Sequence, residues 1–129
     1  MQKEMDRYVA EMAANFKRGT AEMLILSLLA AGECYAYELT KALKNSSNGL
    51  FDIQGPTLYT ALYRLQEKGF LSTREEKVGR RIRVYYSILP AGQEYLERVI
   101  REYKMICMGV EAVLTTVSEE VHSQEGEDL

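Results

Sequence analysis

Residues 55–88 read GPTLYTALYRLQEKGFLSTREEKVGRRIRVYYSI, and this stretch decides the fold. Within residues 56–68 leucines recur every three or four positions behind a Gly-Pro start, which predicts one helix ending at Gly69. From Phe70 onward apolar and polar side chains alternate, most clearly in RIRVYYSI at 81–88, and KVGR at 77–80 is a turn by composition. The stretch therefore predicts a helix followed directly by a β-hairpin.

The chain before this stretch shows three further helical patterns. An amphipathic stripe over 3–16 ends at Lys17-Arg18-Gly19, cations followed by a residue that tolerates left-handed geometry. Thr20 is a suitable N-cap for a second helix, which is apolar nearly all round from Met23 and stops at Gly32. A third helix is expected at about 36–46. Helix, helix, helix and hairpin is the element order of a winged helix-turn-helix domain, here predicted over 19–89 behind an N-terminal helix at 1–18.

Pro90 begins a long final helix that is predicted to run to Val117, and its apolar residues step alternately by three and four, as in a coiled-coil seam. One domain of this size can cover one such stripe but not easily a second row beside it (Ile100, Cys107, Leu114), so we expect a homodimer. The predicted dimerisation residues are Leu96, Val99, Tyr103, Ile106, Val110, Val113 and Val117. The fold class is thus mainly α with a small β-hairpin: a winged helix-turn-helix flanked by the N-terminal helix and this C-terminal dimerisation helix (90–117), with an acidic tail (118–129) expected to be disordered.

Composition excludes several functional classes. The chain has 129 residues, so one domain is expected, and no apolar run approaches the ~20 residues that span a bilayer. The N-terminus lacks the layout of a signal peptide, so we expect a cytoplasmic protein without a membrane partner. Cys34 and Cys107 are expected to be reduced thiols, and the single histidine, His122, cannot build a metal cluster or a triad. No cofactor, metal or enzymatic activity is expected, although a carboxylate- or tyrosine-based enzyme is not excluded.

Charge is distributed unevenly. The formal net charge is −3, yet residues 54–88 carry seven basic and three acidic residues, and residues 111–129 carry six acidic residues and no basic one. A basic middle segment beside an acidic end is the asymmetry that favours a polyanionic partner.

Two groups of residues in this segment are candidate DNA contacts. The outward face of helix 56–68 offers hydroxyl, aromatic and guanidinium groups, which suit base edges and phosphates in the major groove. These residues are Thr57, Tyr59, Thr60, Tyr63 and Arg64. The hairpin adds cations suited to phosphates, namely Lys77, Arg80, Arg81 and Arg83. The alternatives are that the tyrosines pack at the domain edge and that the hairpin is a solvated, charge-paired surface.

The same residues carry a family resemblance over Gly32–Gly92. The matching segments are Tyr35-Ala-Tyr-Glu-Leu39, Thr57-Leu-Tyr59 with Leu62 and Arg64-Leu65, Glu67-Lys-Gly69, Gly79 with Arg81 and Arg83, Tyr85-Tyr86, and Ala91-Gly92. In this order and spacing the chain resembles the PadR family of bacterial transcriptional regulators, in its small subgroup with a single C-terminal dimerisation helix. The resemblance implies a homodimer that binds an inverted-repeat operator in double-stranded DNA, commonly as a repressor released by a small molecule. It places the five helix residues above on the recognition helix, and Arg81 and Arg83 on the wing.

An effector site is a further expectation. Met12, Phe16, Tyr103 and Met108 would give a soft apolar pocket at the centre of a dimer if the N-terminal helix folds over the seam, and such side chains suit a hydrophobic or aromatic ligand. In the drug-sensing members that the chain resembles, an aromatic residue near the position of Tyr103 stacks on the ligand. The alternative is that these residues are dimer core.

A different class of function uses the same fold. A winged-helix protein–protein adaptor would dock a partner through the long helix without binding DNA. The net negative charge and the acidic end favour this alternative.

Overall fold

The computed structural model describes residues 1–127, and side chains for residues 1–116. In chain order its elements are α1 (Gln2–Ala31), β1 (Cys34–Tyr35), α2 (Ala36–Ser46), α3 (Gly55–Glu67), β2 (Leu71–Val78), β3 (Arg81–Ile88) and α4 (Pro90–Glu127). The chain divides into two units, Met1–Leu96 and Glu97–Leu129. The mainly helical fold class with a hairpin, as predicted, is confirmed.

The core of the first unit is built from leucines that recur at helical spacing. Burying such side chains stabilises the fold by ~1.5–3 kcal/mol each. The buried residues are Ile25, Leu26 and Leu29 of α1, Leu39 and Leu43 of α2, Leu58, Leu62 and Leu65 of α3, Leu71 and Tyr86 of the sheet, and Leu96. Because the leucines of α3 lie on one side of that helix, its opposite side faces solvent.

The predicted break between two N-terminal helices is wrong. α1 runs without interruption through residues 17–20, so the boundary expected at 18/19 falls inside a helix. The hydroxyl of Thr20 does not cap a helix start; it donates back to the carbonyl oxygens of Phe16 (3.2 Å) and Lys17 (3.1 Å). A glycine inside a helix costs only about 1 kcal/mol relative to alanine, which a continuous helix anchored at one end tolerates.

The predicted helix over 56–68 is confirmed as α3, and its C-terminus explains why glycine occupies position 69. The N–H of Phe70 donates to the carbonyl of Leu65, and the N–H of Gly69 donates to the carbonyl of Gln66. The N···O distance is 3.0 Å in both hydrogen bonds. This is a Schellman motif, and Gly69 has the positive φ (78°) that it requires. The motif turns the chain sharply from α3 into the first strand of the hairpin.

The hairpin is confirmed, but the sheet has one more strand than was predicted. β2 pairs with β3 from Leu71↔Ile88 to Val78↔Arg81, and the turn residue Gly79 has φ 63°, as the first position of a type II′ turn does. β1 adds Tyr35↔Tyr85 on the other edge of β3, which gives the order β1-β3-β2. Sequence patterns could not reveal β1, because two residues show no periodicity.

The final helix is longer than predicted. α4 begins at Pro90 as expected and continues past Val117 to Glu127, so a disordered segment from Ser118 is wrong as far as residue 127. Residues 128 and 129 and the side chain of Val117 lie outside the described residues. Along the chain as far as it is described, no helix combines the length and the apolar character that a membrane span needs.

Gly92 lets the first turn of α4 pack closely on Phe70, directly before β2, and on Ile88 at the end of β3. A β-carbon at this position would collide with the carbonyl oxygen of Phe70 and lie 3.0 Å from a side-chain carbon of Ile88. That same carbonyl accepts a hydrogen bond from the N–H of Leu89 (2.9 Å), so it cannot move away freely.

Gly92→Ala should therefore lower the free energy of unfolding by about 1–3 kcal/mol, because the added methyl overpacks a fixed backbone contact. Gly19→Ala is the matched control: a β-carbon there has no neighbour within 4 Å, and alanine should stabilise the continuous α1 by up to ~1 kcal/mol. Urea unfolding at one protein concentration measures both. An unchanged Gly92→Ala variant would contradict the close packing, and a destabilised Gly19→Ala variant would contradict the unbroken helix.

Candidate nucleic-acid interface

The outer face of α3 presents the five predicted side chains to solvent. Tyr59 and Tyr63 are 55% and 65% exposed, whereas Leu58 and Leu62 on the inner face are 1% exposed. Thr57, Thr60 and Arg64 are exposed as well. The alternative that the tyrosines pack at the domain edge does not fit their exposure.

Two of these side chains already have partners inside the chain. The Thr60 hydroxyl donates to the carbonyl oxygen of Pro56 (2.9 Å), so in this rotamer it can accept a hydrogen bond from a base or a water but not donate to a phosphate. Arg64 Nη1 lies 3.5 Å from Glu22 Oε1, and Lys68 Nζ lies 3.9 Å from Glu22 Oε2. Glu22 of α1 thus contacts the C-terminal end of α3 through these two cations, and most of the Arg64 guanidinium stays accessible to solvent.

The hairpin carries three cations that face solvent. Lys77, Arg80 and Arg81 are exposed, and across the described residues none of the three makes an ion pair with a carboxylate. Arg81 closes the turn opposite Val78, and Arg80 lies within it. Lys77 was expected in the turn but lies in β2 opposite Ile82, so alternation places it on the other face from Arg81.

Arg83 is half-buried, and an aromatic ring holds it. Its guanidinium carbon lies 4.5 Å from the centre of the Tyr35 ring, a cation–π geometry. A hydrogen bond with Tyr85 is the main cause that raises the pKa of Arg83 further above its usual value, so the side chain is charged at any working pH. The alternative of a fully charge-paired hairpin does not fit these contacts, because Arg83 lies over an aromatic ring and Arg80 and Arg81 have no carboxylate partner among the described residues.

Arg74 is the cation of the hairpin whose charge carboxylates compensate within the described residues. Its Nε donates to both carboxylate oxygens of Glu33 (3.1 and 2.9 Å), and its Nη1 donates to Glu76 (3.3 Å). The hydrogen bond from Arg74 is the main cause that lowers the pKa of Glu33, so the carboxylate stays ionised through the neutral range. Formal charge in the sequence therefore overstates the positive surface of the hairpin.

Sequence reasoning did not assign an aromatic and cationic strip beside the hairpin. Tyr35 and Tyr37 stack with ring centres 6.4 Å apart, and Lys41 Nζ lies 5.5 Å from the centre of the Tyr37 ring. Together with Arg83 these residues connect the hairpin to the first turns of α2. The Tyr-Ala-Tyr spacing was visible in the sequence, but only the pairing of β1 with β3 brings it next to Arg83.

A cleft of about 580 Å³ lies between α1, the loop before α3, and α3 itself. Lys17, Arg18 and Glu22 of α1 line one wall, and loop residues 49–54 line another. The third wall is formed by Thr57, Thr60 and Arg64. The cleft therefore shares three side chains with the outer face of α3.

The predicted dimerisation residues differ in how far they are buried. Leu96 is only 5% exposed and belongs to the core of the first unit, so its assignment to an intermolecular seam is corrected. Val99 is half-buried. Tyr103, Ile106, Val110 and Val113 are exposed on α4 at the predicted spacing.

The four predicted effector residues are all exposed, and the structure divides them between the two units. Met12 and Phe16 lie on α1, and Tyr103 and Met108 lie on α4. A hydrogen bond with Cys107 is the main cause that raises the pKa of Tyr103. Both cysteines are free thiols, as expected.

Comparison with known proteins identifies the family. A family model described as the PadR-like family of transcriptional regulators matches residues 25–98. The chain belongs to this family. A PadR family transcriptional regulator from Eggerthella lenta DSM 2243 is 31% identical, with a TM-score of 0.80 over 87% of this chain and 96% of that chain. The resemblance to the PadR family and the winged-helix fold, both predicted from the sequence, are therefore confirmed.

Two further comparisons differ in extent. The transcriptional regulator YqjI of Escherichia coli (strain K12) is 29% identical over 91 residues, which are 70% of this chain but only 42% of YqjI. Bacillus subtilis PadR, whose structure was solved in complex with operator DNA, is 23% identical with a TM-score of 0.58, over 62% of this chain and 46% of that chain. At that identity the likeness to Bacillus subtilis PadR shows the fold alone.

Proposed function

We propose that this PadR-like transcriptional regulator binds operator DNA in a sequence-specific manner through the outer face of α3 and the cations of the hairpin. The observation that carries the proposal is the exposed polar face of α3 together with the exposed hairpin cations Lys77, Arg80 and Arg81, whose charges have no carboxylate partner in the described part of the chain. Thr57, Tyr59, Thr60, Tyr63 and Arg64 read base edges, and the hairpin cations with Arg83 contact phosphates. The Bacillus subtilis relative solved with operator DNA supports this partner.

The proposed active species is a homodimer. Ile106, Val110 and Val113 of α4 are 62%, 50% and 61% exposed, and a continuous row of exposed apolar side chains at alternating three- and four-residue spacing is typical of a helix that pairs with another. The seam runs through Val99, Tyr103, Ile106, Val110 and Val113 and continues to Val117. A two-fold dimer presents two recognition helices, so the operator would be an inverted repeat with half-sites about 34 Å apart.

The regulatory outcome that we propose is repression relieved by a small hydrophobic or aromatic effector. Met12, Phe16, Tyr103 and Met108 are the proposed contacts. Their exposure in a single chain is compatible with either an effector site or dimer core, and binding of such a ligand to the purified dimer would distinguish the two.

Replacement of two wing cations should weaken DNA binding in general. Arg81→Ala combined with Arg83→Ala should reduce affinity for every sequence and reduce the slope of log K against log salt by about 0.9 for each phosphate that the variant no longer neutralises. Lys3→Ala with Arg7→Ala removes the same charge from the start of α1 and is the matched control. Fluorescence anisotropy at several salt concentrations measures the slope, and an unchanged slope in the wing variant would show that the hairpin does not bind phosphates.

A substitution on α3 should change specificity instead. Tyr63→Ala should lower the ratio of operator affinity to non-specific affinity by roughly tenfold, because the tyrosine is proposed to contact bases or sugars. The salt slope should stay almost unchanged, because the tyrosine carries no charge. A competition assay with unrelated DNA measures this ratio. An equal loss of affinity for all sequences would contradict base reading by this face.

The dimer is tested by a charge in the seam. Val110→Asp should convert the protein to a monomer in analytical ultracentrifugation, because the buried carboxylates would have no cationic partner. Ala112→Asp places the same charge on the opposite side of α4 and should leave a dimer. A Val110→Asp variant that still sediments as a dimer would contradict the proposed seam.

A wild-type protein that shows no DNA binding in buffer of low salt concentration would favour the alternative function of a protein–protein adaptor.

A further inference from the structure

The outer face of the three-stranded sheet carries an ion pair that joins distant parts of the chain. Glu33 lies between α1 and β1, and Arg74 lies in β2, 41 residues later. Arg74 grips the Glu33 carboxylate with Nε (3.1 and 2.9 Å) and in addition through a short contact from Nη2. Ser87 of β3 donates to the same carboxylate over 3.4 Å. One carboxylate therefore ties both strands of the hairpin to the segment that leaves α1.

Aromatic rings extend this contact toward Arg83, one of the arginines proposed to contact phosphates. The Arg74 guanidinium carbon lies 4.4 Å from the centre of the Tyr85 ring, and the Tyr85 ring meets Tyr35 edge to face with centres 5.5 Å apart. Tyr35 in turn lies under Arg83. Paired residues of an antiparallel sheet share a face, so Arg74, Arg83 and Arg81 project from the same side of the hairpin.

We propose that Glu33 and Arg74 are positioning residues for DNA binding: their ion pair holds the hairpin in the orientation that presents Arg81 and Arg83 to phosphates, and Arg74 makes no phosphate contact itself. The inference rests on the proposed function. Arg74 directs its donors at Glu33 and Glu76, and its guanidinium lies over the Tyr85 ring, whereas Arg81 has no carboxylate partner among the described residues.

The direction in which one substitution changes DNA affinity distinguishes a positioning role from a purely electrostatic one. Glu33→Gln removes a negative charge close to the DNA-binding surface, so electrostatics alone would strengthen binding to a polyanion. Loss of orientation would weaken it. Glu76→Gln is the matched control, because Glu76 also accepts from Arg74 but lies in the same strand and ties the hairpin to nothing else.

The experiment measures DNA affinity and salt slope for full-length Glu33→Gln, Arg74→Met and Glu76→Gln by fluorescence anisotropy. We expect Glu33→Gln and Arg74→Met to weaken binding by roughly fivefold with the wild-type salt slope, and Glu76→Gln to bind as tightly as wild type or slightly tighter. The double variant Glu33→Gln/Arg74→Met should be no weaker than Arg74→Met alone. Tighter binding by Glu33→Gln, or a slope reduced by about 0.9 per subunit in Arg74→Met, would overturn the proposal.

A second measurement needs no DNA and keeps the two proposals distinguishable. Amide hydrogen exchange in β1 and β3 should become faster in Glu33→Gln than in Glu76→Gln, because the hairpin loses its tie to the α1–β1 segment. Equal exchange in the two variants would overturn the positioning role even if the wild-type protein binds DNA. If exchange is faster in Glu33→Gln but the wild-type protein does not bind DNA, the ion pair does hold the hairpin to the α1–β1 segment. That outcome would overturn its role in DNA binding together with the proposed function.

Discussion

The burial of one row of leucines on α3 is the constraint on which the rest of the molecule depends. Leu58, Leu62 and Leu65 are almost completely excluded from solvent, so α3 has only one rotation about its axis that keeps the core closed. That rotation sends the tyrosines, the threonines and Arg64 outward. The Schellman motif at Gly69 then turns the chain directly into the hairpin, so the hairpin cations follow the polar face of α3 with no long loop between them.

Charge acts through its distribution among partners and not through its total. The chain is formally negative, and even within the basic hairpin Arg74 is compensated by Glu33 and Glu76. What remains for a polyanion is a small number of cations near the turn and one arginine on an aromatic ring. Coulombic attraction over the range of a Debye length favours such an uncompensated cluster more than a larger but internally paired one.

Sequence predicted the parts of the fold whose signals are local. Three local signals each specify an element through residues close together in the chain: the leucine spacing of α3, the alternation of β3 and the glycine at position 79. The helix, the strand and the turn lie where these signals predict them. Features that depend on distant partners were missed: β1 exists because β3 offers it an edge, and the Glu33–Arg74 pair joins residues that no periodicity connects. The break expected at Gly19 failed because a local stop signal is weaker than the continuity of a long helix. Leu96 was assigned to the seam because spacing alone cannot tell which copy buries a side chain.

The most direct measurement is a salt titration of the affinity of the wild-type protein for a genomic DNA fragment that it selects. If eight cations of a dimer, Lys77, Arg80, Arg81 and Arg83 from each subunit, contact phosphates, log K should fall linearly with log salt with a slope of about −7. A slope near zero, or no binding at the lowest salt concentration, would contradict a DNA-binding surface built from α3 and the hairpin.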